Sequence, residues 1–377
     1  MIRVGDTEKQ LFDRTSATKG LATASWARMQ LLASVQGEPL KGEENRRNDL
    51  RLLSLFCGPG GLDEGFHQGG FATDLAFDID QECVNTFQLN HRDAKAYVRD
   101  ITKLTIEELD QLHGKKFTPC GVIGGPPCQS FSVSNVHQTD DDPRHLLPEA
   151  YAKLLKQLNE RHPLSFFVFE NVPGLLGKKH RERYEKFKRL FAQAGFEINE
   201  HLFDAQHYGV PQERPRIIIV GINTRLHPNT RWAVPEPENR IRTVRQTIGN
   251  LGKPLFRSDD VNPEDNKIHP NHVCLEPKSK KFTKVGMLTE GQMWGRSFRT
   301  LYWDKPSWTV AYGHREVHVH PSGTRRLSIY EAMLLQSFPK NYRLTGNISA
   351  QIRLVSEAVP PRLGWHVAVS IRRALGL

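Results

Sequence analysis

Cysteine is scarce and scattered in this chain: Cys57, Cys83, Cys120, Cys128 and Cys274 are the only five, and no two form a Cys-x-x-Cys pair. An odd number at wide spacing, without such a pair, argues against both a disulfide framework and a structural zinc site. His314, His318 and His320 lie close together, but no cysteine or carboxylate pattern accompanies them, so they read as polar strand or loop residues and no metal is implied. Long hydrophobic runs are missing as well. No apolar stretch approaches the ~20 residues that span a bilayer, and Met1-Ile-Arg-Val-Gly-Asp-Thr-Glu-Lys9 holds no apolar signal core. A cytoplasmic protein without a membrane span is expected. Acidic residues are in deficit, 42 Asp and Glu against 52 Lys and Arg, for a formal charge of +10. That balance suits a polyanionic partner without identifying one. There is no internal repeat and no low-complexity tract.

What the chain does hold is enough apolar residue, 38% of 377, to build one large or two ordinary domains. It is organised around Gly124-Gly-Pro-Pro-Cys-Gln-Ser-Phe-Ser132. The apolar run from Cys120 to Gly125 reads as a buried strand emerging into a loop, and Pro126 and Pro127 restrict the backbone that presents Cys128. Most cysteines in such runs are inert core residues. Two prolines and two glycines beside this one favour a presented thiol, a candidate nucleophile.

Residues 1–48 read as an N-terminal extension, partly disordered, with one amphipathic helix pattern from Leu21 to Val35 and a charged linker over Gly37-Glu-Pro-Leu-Lys-Gly-Glu-Glu-Asn-Arg-Arg-Asn48. From Arg51 the texture changes. Leu52-Leu-Ser-Leu-Phe56 is a short apolar strand, Cys57-Gly-Pro-Gly-Gly61 a glycine-rich turn, and Leu62 to Gln68 a helix. Glycines there let a backbone approach a ligand, and the helix start offers free N–H groups. A second strand, Phe71 to Phe77, ends in Asp78-Ile-Asp80, which puts Asp78 twenty residues beyond Gly58, where a doubly wound α/β fold places a ribose-binding carboxylate. Asp100 closes a third strand, Ala96 to Arg99. Acids at successive strand ends line one edge of a sheet, where ligands of open α/β sheets bind.

Alternation of strand and helix continues through Gly121 to Gly125, a helix from His145 to Glu160, and the strand Leu164 to Phe169. Glu170 follows that apolar run, so burial is expected to raise its pKa and favour a protonated hydrogen-bond donor. A basic helix is expected from Lys178 to Arg189, with Tyr184, Phe187 and Phe191 in the core and its seven Lys and Arg facing solvent or phosphate. After a strand from Phe196 to Phe203 come Gly209-Val-Pro-Gln-Glu-Arg-Pro-Arg216 and the strand Ile217 to Val220. On extended backbone Arg214 and Arg216 would point the same way, which suggests anion or carbonyl contacts. Between Asn223 and His320 fall eight of the 23 prolines, four of the six tryptophans, and 16 Lys and Arg against 10 Asp and Glu. That break marks a separate, irregular, basic region whose aromatics serve a small core or stack on nucleic acid. A helical pattern returns from Arg326 to Pro339 with Ser328 as N-cap, and a last helix runs from Arg362 to Leu375.

Taken in order, Phe56-Cys-Gly-Pro-Gly-Gly61, Asp78, Asp100, Gly125-Pro-Pro-Cys-Gln129, Glu170-Asn-Val172, Gln212-Glu-Arg-Pro-Arg216, Arg326 to Pro339 and Ala358-Val-Pro-Pro361 resemble the DNA cytosine-5 methyltransferases over residues 51–376. The resemblance implies an S-adenosylmethionine-dependent, Rossmann-like catalytic domain with a mostly parallel sheet at 49–222. It also implies an inserted target-recognition domain at 223–322 and a return to the catalytic domain at 323–377. It assigns cofactor contacts to Phe56, Gly58, Gly60, Gly61, Asp78, Ile79, Asp100, Ile101, Pro127 and Leu147, and implies duplex DNA as substrate and a companion restriction endonuclease. No obligate protein partner is evident. One motif departs: the family's Gly-Asn-Ala-Val-Pro is here Ser356-Glu-Ala-Val-Pro360, so Glu357 replaces an amide that helps shape the cofactor pocket.

The chemistry fits these residues. Cytosine C5 is a poor nucleophile until something adds to C6, and Cys128 is the group for that addition. Protonated Glu170 would hold N3, and Arg214 and Arg216 the O2 side, where they would also favour the thiolate. The base must leave the stack, with the loop Ser130 to Asn135 closing over it. Three other readings stay open: an RNA cytosine-5 methyltransferase on the same scaffold, a catalytically impaired DNA-binding regulator, and a dinucleotide oxidoreductase. The last gives Cys128, Glu170 and Arg214 no joint role.

Overall fold

The computed structural model describes residues 50–127, 146–257, 262–282, 284, 286–294, 298–309 and 317–377. The expected helix at 21–35, the linker at 37–48, Cys128, the loop 130–135 and His314 lie outside the described residues. Contacts divide the chain into two units, Met1–Leu50 and Arg51–Leu377, and all the described strands and helices belong to the second.

Its centre is a seven-stranded sheet: β1 Arg51–Leu55, β2 Ala72–Asp78, β3 Lys95–Val98, β4 Gly121–Gly124, β5 Phe166–Asn171, β6 Phe196–Asp204 and β7 Pro215–Asn223. The order is β3-β2-β1-β4-β5-β7-β6. Neighbours are parallel except β7, which runs antiparallel to both β5 and β6. Strand order reverses at β1, whose two parallel partners are β2 on one side and β4 on the other, so a crevice opens beyond the carboxyl ends of β1 and β4. The central strands read as unbroken apolar runs because helices cover both faces; all six residues of β5 are buried. This is the doubly wound, mostly parallel sheet expected.

The helices in chain order are α1 Gly61–Gln68, α2 Gln81–Asn90, α3 Ile106–His113, α4 Leu147–Arg161, α5 Arg181–Gln193, α6 Val244–Ile248, α7 Ile329–Leu335, α8 Ile348–Glu357 and α9 Pro361–Leu375. Among the described residues, no helix is long and apolar enough to cross a membrane. The core between β5 and helices α4 and α5 is largely aromatic: Phe167 packs on Phe191 and Phe196, and Tyr151 meets Phe169 edge-on. The basic helix starts three residues later than its charge pattern indicates. Lys178–His180 forms a 3-10 turn, and no side chain caps the start of α5. Tyr184, Phe187 and Phe191 are buried as expected. Ser328 caps α7 in a full capping box with Glu331, and α9 begins one residue early because Pro361 suits a first helical position.

Beyond β7 the chain forms short pairs, β8 Leu255–Phe256 with β9 Val273–Cys274, and a three-stranded sheet of β10 Met293–Trp294, β11 Phe298–Thr300 and β12 Val317–Val319. Trp232 is buried and donates to Ser370 Oγ on α9, whereas Trp294 is 36% exposed with Lys281 over its ring. His318 and His320 are buried, and burial pushes each down to about 4, so both are neutral. The C-terminal segment then returns to the large sheet, with α9 packed along α1.

Candidate active site at the carboxyl edge of the sheet

β1 ends at Leu55, and the chain turns through Phe56 at φ 54° and Gly58 at φ 54° into α1. Phe56 holds a left-handed conformation that costs a non-glycine residue about 1–3 kcal/mol, as strained functional turns do. Not all the glycines serve ligand approach. A Cβ on Gly60 would stand 2.5 Å from Tyr342 Oη and one on Gly61 2.2 Å from the Val359 carbonyl, so these two admit the returning C-terminal segment. A Cβ on Gly58 meets nothing within 4 Å and faces open space.

Asp78, at the end of β2, accepts the N–H of Gly58 at 2.9 Å and of Asp80 at 3.0 Å, which fastens the glycine turn to β2. Burial raises its pKa. Ile79, next along, is 70% exposed although apolar. Asp80 caps α2 through the N–H groups of Glu82 and Cys83. Asp100 caps the turn Ile101–Lys103, accepting from Thr102 N and Oγ1.

Two adjoining clefts share Phe56, Ile79 and Pro127. One, of about 830 Å³, also takes in Asp100, Ile101 and Leu147. The other, of about 470 Å³, holds Gly58, Gly61, Asp78, Asp80, Glu170 and Arg216, with Arg353 and Glu357 from the C-terminal return. The ten residues expected at a cofactor thus gather here, nine on the cleft walls and Gly60 in the turn between them.

At the floor, Glu170, the last but one residue of β5, has 8% of its surface exposed. Arg216 Nε lies 2.9 Å from its Oε1. Burial raises the carboxyl pKa, opposed by the cations Arg216 and Arg214. Asn171 donates to the Pro126 carbonyl at 3.2 Å, so β5 supports the Pro126-Pro127 segment that leads to Cys128. Cys128 itself lies outside the described residues. Two thiols among the described residues line the cleft, Cys57 and Cys83, and both are pushed up by burial and then by Asp78, which keeps them protonated.

The two arginines divide the alternatives that the sequence left open. Arg216, on β7, takes the anion. Arg214 precedes β7, so the same-face rule for extended strands does not govern the pair. It is 0% exposed and donates to the carbonyls of Ser356 and Ala358 at 2.6 and 2.9 Å, behind the cleft rather than in it.

Two residues of the C-terminal return escaped sequence reasoning. Arg353 reaches Asp80 at 2.9 Å and Glu357 at 3.5 Å, and Tyr342 Oη donates to the Pro59 carbonyl. The i,i+4 spacing of Arg353 and Glu357 was the one available signal for that pair.

A family model for C-5 cytosine-specific DNA methylases matches residues 50–373. The Type II methyltransferase M.MthTI of Methanothermobacter thermautotrophicus is 31% identical over 87% of this chain and 98% of its own length. M.FnuDI of Fusobacterium nucleatum, also a Type II methyltransferase, is 30% identical over 86% of this chain and 95% of its own. Among solved structures, a candidate DNA modification methyltransferase encoded within an E. coli prophage superposes with a TM-score of 0.73 at 22% identity, covering 87% of this chain and 100% of that one. At that identity the likeness speaks to the fold.

Proposed function

The chain belongs to the C-5 cytosine-specific DNA methylases and is a DNA cytosine-C5 methyltransferase of the restriction-modification kind, and from that premise we propose how its own residues carry the reaction. The observation that carries the reading is the buried Glu170–Arg216 pair set directly below the Pro126-Pro127 segment that presents Cys128. A flipped cytosine seated there has N3 against Glu170 and O2 against Arg216. The Cys128 thiolate attacks C6 and forms the S–C6 bond. The C5=C6 electron pair moves onto C5 and into the ring, where the Glu170 proton and the Arg216 charge stabilise it. Once C5 is methylated, a base takes the C5 proton, the C5=C6 bond re-forms and the thiolate leaves. Arg214 acts through position: from behind the cleft it fixes the Ser356 to Ala358 backbone.

The cleft fits S-adenosylmethionine as methyl donor. An exposed Ile79 facing Phe56, Pro127 and Leu147 makes an apolar slot for a flat ring, and Gly58 leaves open space beside it. Asp100 lines the same cleft and Asp78 the adjoining one, where they offer acceptors to polar groups of the donor. The donor supplies an electrophilic methyl group.

The basic, aromatic region 223–322 is the target-recognition part, on 49–222 and 323–377 as the catalytic part, and a companion endonuclease cuts the same sequence when it is unmethylated. Exposed Trp294 and Lys281 support a surface there that meets DNA. Cys128→Ala tests the mechanism: turnover is abolished while duplex binding survives in a gel-shift assay. Methylation retained by that variant would remove the covalent step.

A further inference from the structure

The chain carries a formal charge of +10, yet the smaller cleft is acidic. Five carboxylates line it, Asp63, Asp78, Asp80, Glu170 and Glu357, against two guanidiniums, Arg216 and Arg353. Glu170 is paired with Arg216, and Asp78 is taken up by two backbone N–H groups. Arg353 sits between the remaining pair of surface carboxylates. It is 2.9 Å from Asp80 and 3.5 Å from Glu357, so its hydrogen-bonded partner is Asp80 and its hold on Glu357 is loose.

Glu357 is badly placed for structure alone. It is the last residue of α8, where the helix dipole disfavours negative charge, and it shares the cleft wall with Asp78 and Asp80. Its side chain is 48% exposed, so no packing demand keeps it there. Partial desolvation in the cleft, opposed by Arg353 and reinforced by the two aspartates, raises its pKa. At this point the resemblance to the DNA cytosine-5 methyltransferases implies a neutral amide. Local rules broken without a structural return mark functional positions.

We propose that Glu357 makes the cleft charge-selective, favouring the cationic methyl donor over its neutral demethylated product. The inference rests on S-adenosylmethionine being the donor, as proposed above. With its sulfonium, ammonium and carboxylate the donor has net charge +1, and S-adenosylhomocysteine, lacking the sulfonium, has zero. A carboxylate in place of an amide attracts the first more than the second. The protein thereby discharges its product and resists inhibition by it.

Isothermal titration of the full chain with S-adenosylmethionine, S-adenosylhomocysteine and sinefungin, whose amine keeps a positive charge at the sulfonium position, tests this. In wild type the two cationic ligands bind more tightly than S-adenosylhomocysteine. Glu357→Gln narrows that preference by about two- to fivefold, the range of a half-exposed ion pair, and changes S-adenosylhomocysteine affinity by less than about twofold. Arg353→Met removes the compensating cation and shifts the preference the other way, which guards against a folding artefact in the first variant. A preference unchanged in Glu357→Gln, or all three affinities falling together, overturns the proposal. A wild-type protein that binds none of the three overturns the donor reading itself.

Discussion

Glu170 and Arg216 stand or fall together. They are 2.9 Å apart with side-chain exposures of 10% and 11%, so neither charge has much water to fall back on. Removing the carboxylate in Glu170→Ala takes away the guanidinium's close anion, and loss of one partner of a buried pair costs about 3–5 kcal/mol. Removing both in Glu170→Ala/Arg216→Ala costs less than the sum of the two single changes. Urea denaturation of the four proteins in a double-mutant cycle is expected to give a coupling of at least about 1.5 kcal/mol. Kinetics separate the chemistry from the stability. Glu170→Gln keeps the shape but has no acidic O–H to donate to N3 as charge develops on the ring. Single-turnover methylation should fall about 100- to 1000-fold, as when one preorganised donor is lost from a charge-stabilising site, with DNA affinity kept. A coupling below about 0.5 kcal/mol, or a Glu170→Gln rate within about tenfold of wild type, would refute the reasoning.

Gly125→Ala puts a Cβ 2.6 Å from Glu170 Oε2, and because Arg216 tethers that carboxylate it cannot swing clear, so the variant should lose about 1–3 kcal/mol of stability and most of its rate. A Gly125→Ala enzyme of normal rate would show that the Glu170 carboxylate is free to move. Asp63 is 2% exposed, accepts from Ser54 and Thr73, and is raised by burial from 3.8 to about 6. The folded state therefore holds this proton more tightly than the unfolded one, so its contribution is favourable at low pH and is lost as pH rises from 3.8 to about 6. Relative to Asp63→Asn, wild type should lose up to about 3 kcal/mol between about pH 4 and 7 in paired denaturation curves, and a difference independent of pH would contradict the assignment.

Much of this site could be read from residue order because its parts are short and local. Strand-end acids at Asp78, Asp100 and Glu170, the glycine turn, the Pro-Pro segment and the Ser328 cap each declare themselves within a few residues. What escaped depends on distance along the chain. Arg214 meets carbonyls 142 and 144 residues away, and Tyr342 meets Pro59 across 283. The role of Gly60 and Gly61 in admitting the C-terminal return could not be told from ligand approach, because either demands the same residue. Helix α2 is not legible in the sequence because its Asn, Thr and Cys have weak helical preference; the Asp80 cap and tertiary packing hold it.

The central claim is methyl transfer to C5 of cytosine in DNA. Its most direct test is to incubate the protein with labelled S-adenosylmethionine and unmethylated duplex DNA and to map the modified bases at single-nucleotide resolution by bisulfite conversion. The account predicts 5-methylcytosine confined to one short sequence motif. Label absent from DNA, from a protein that is folded and binds the donor, would contradict it.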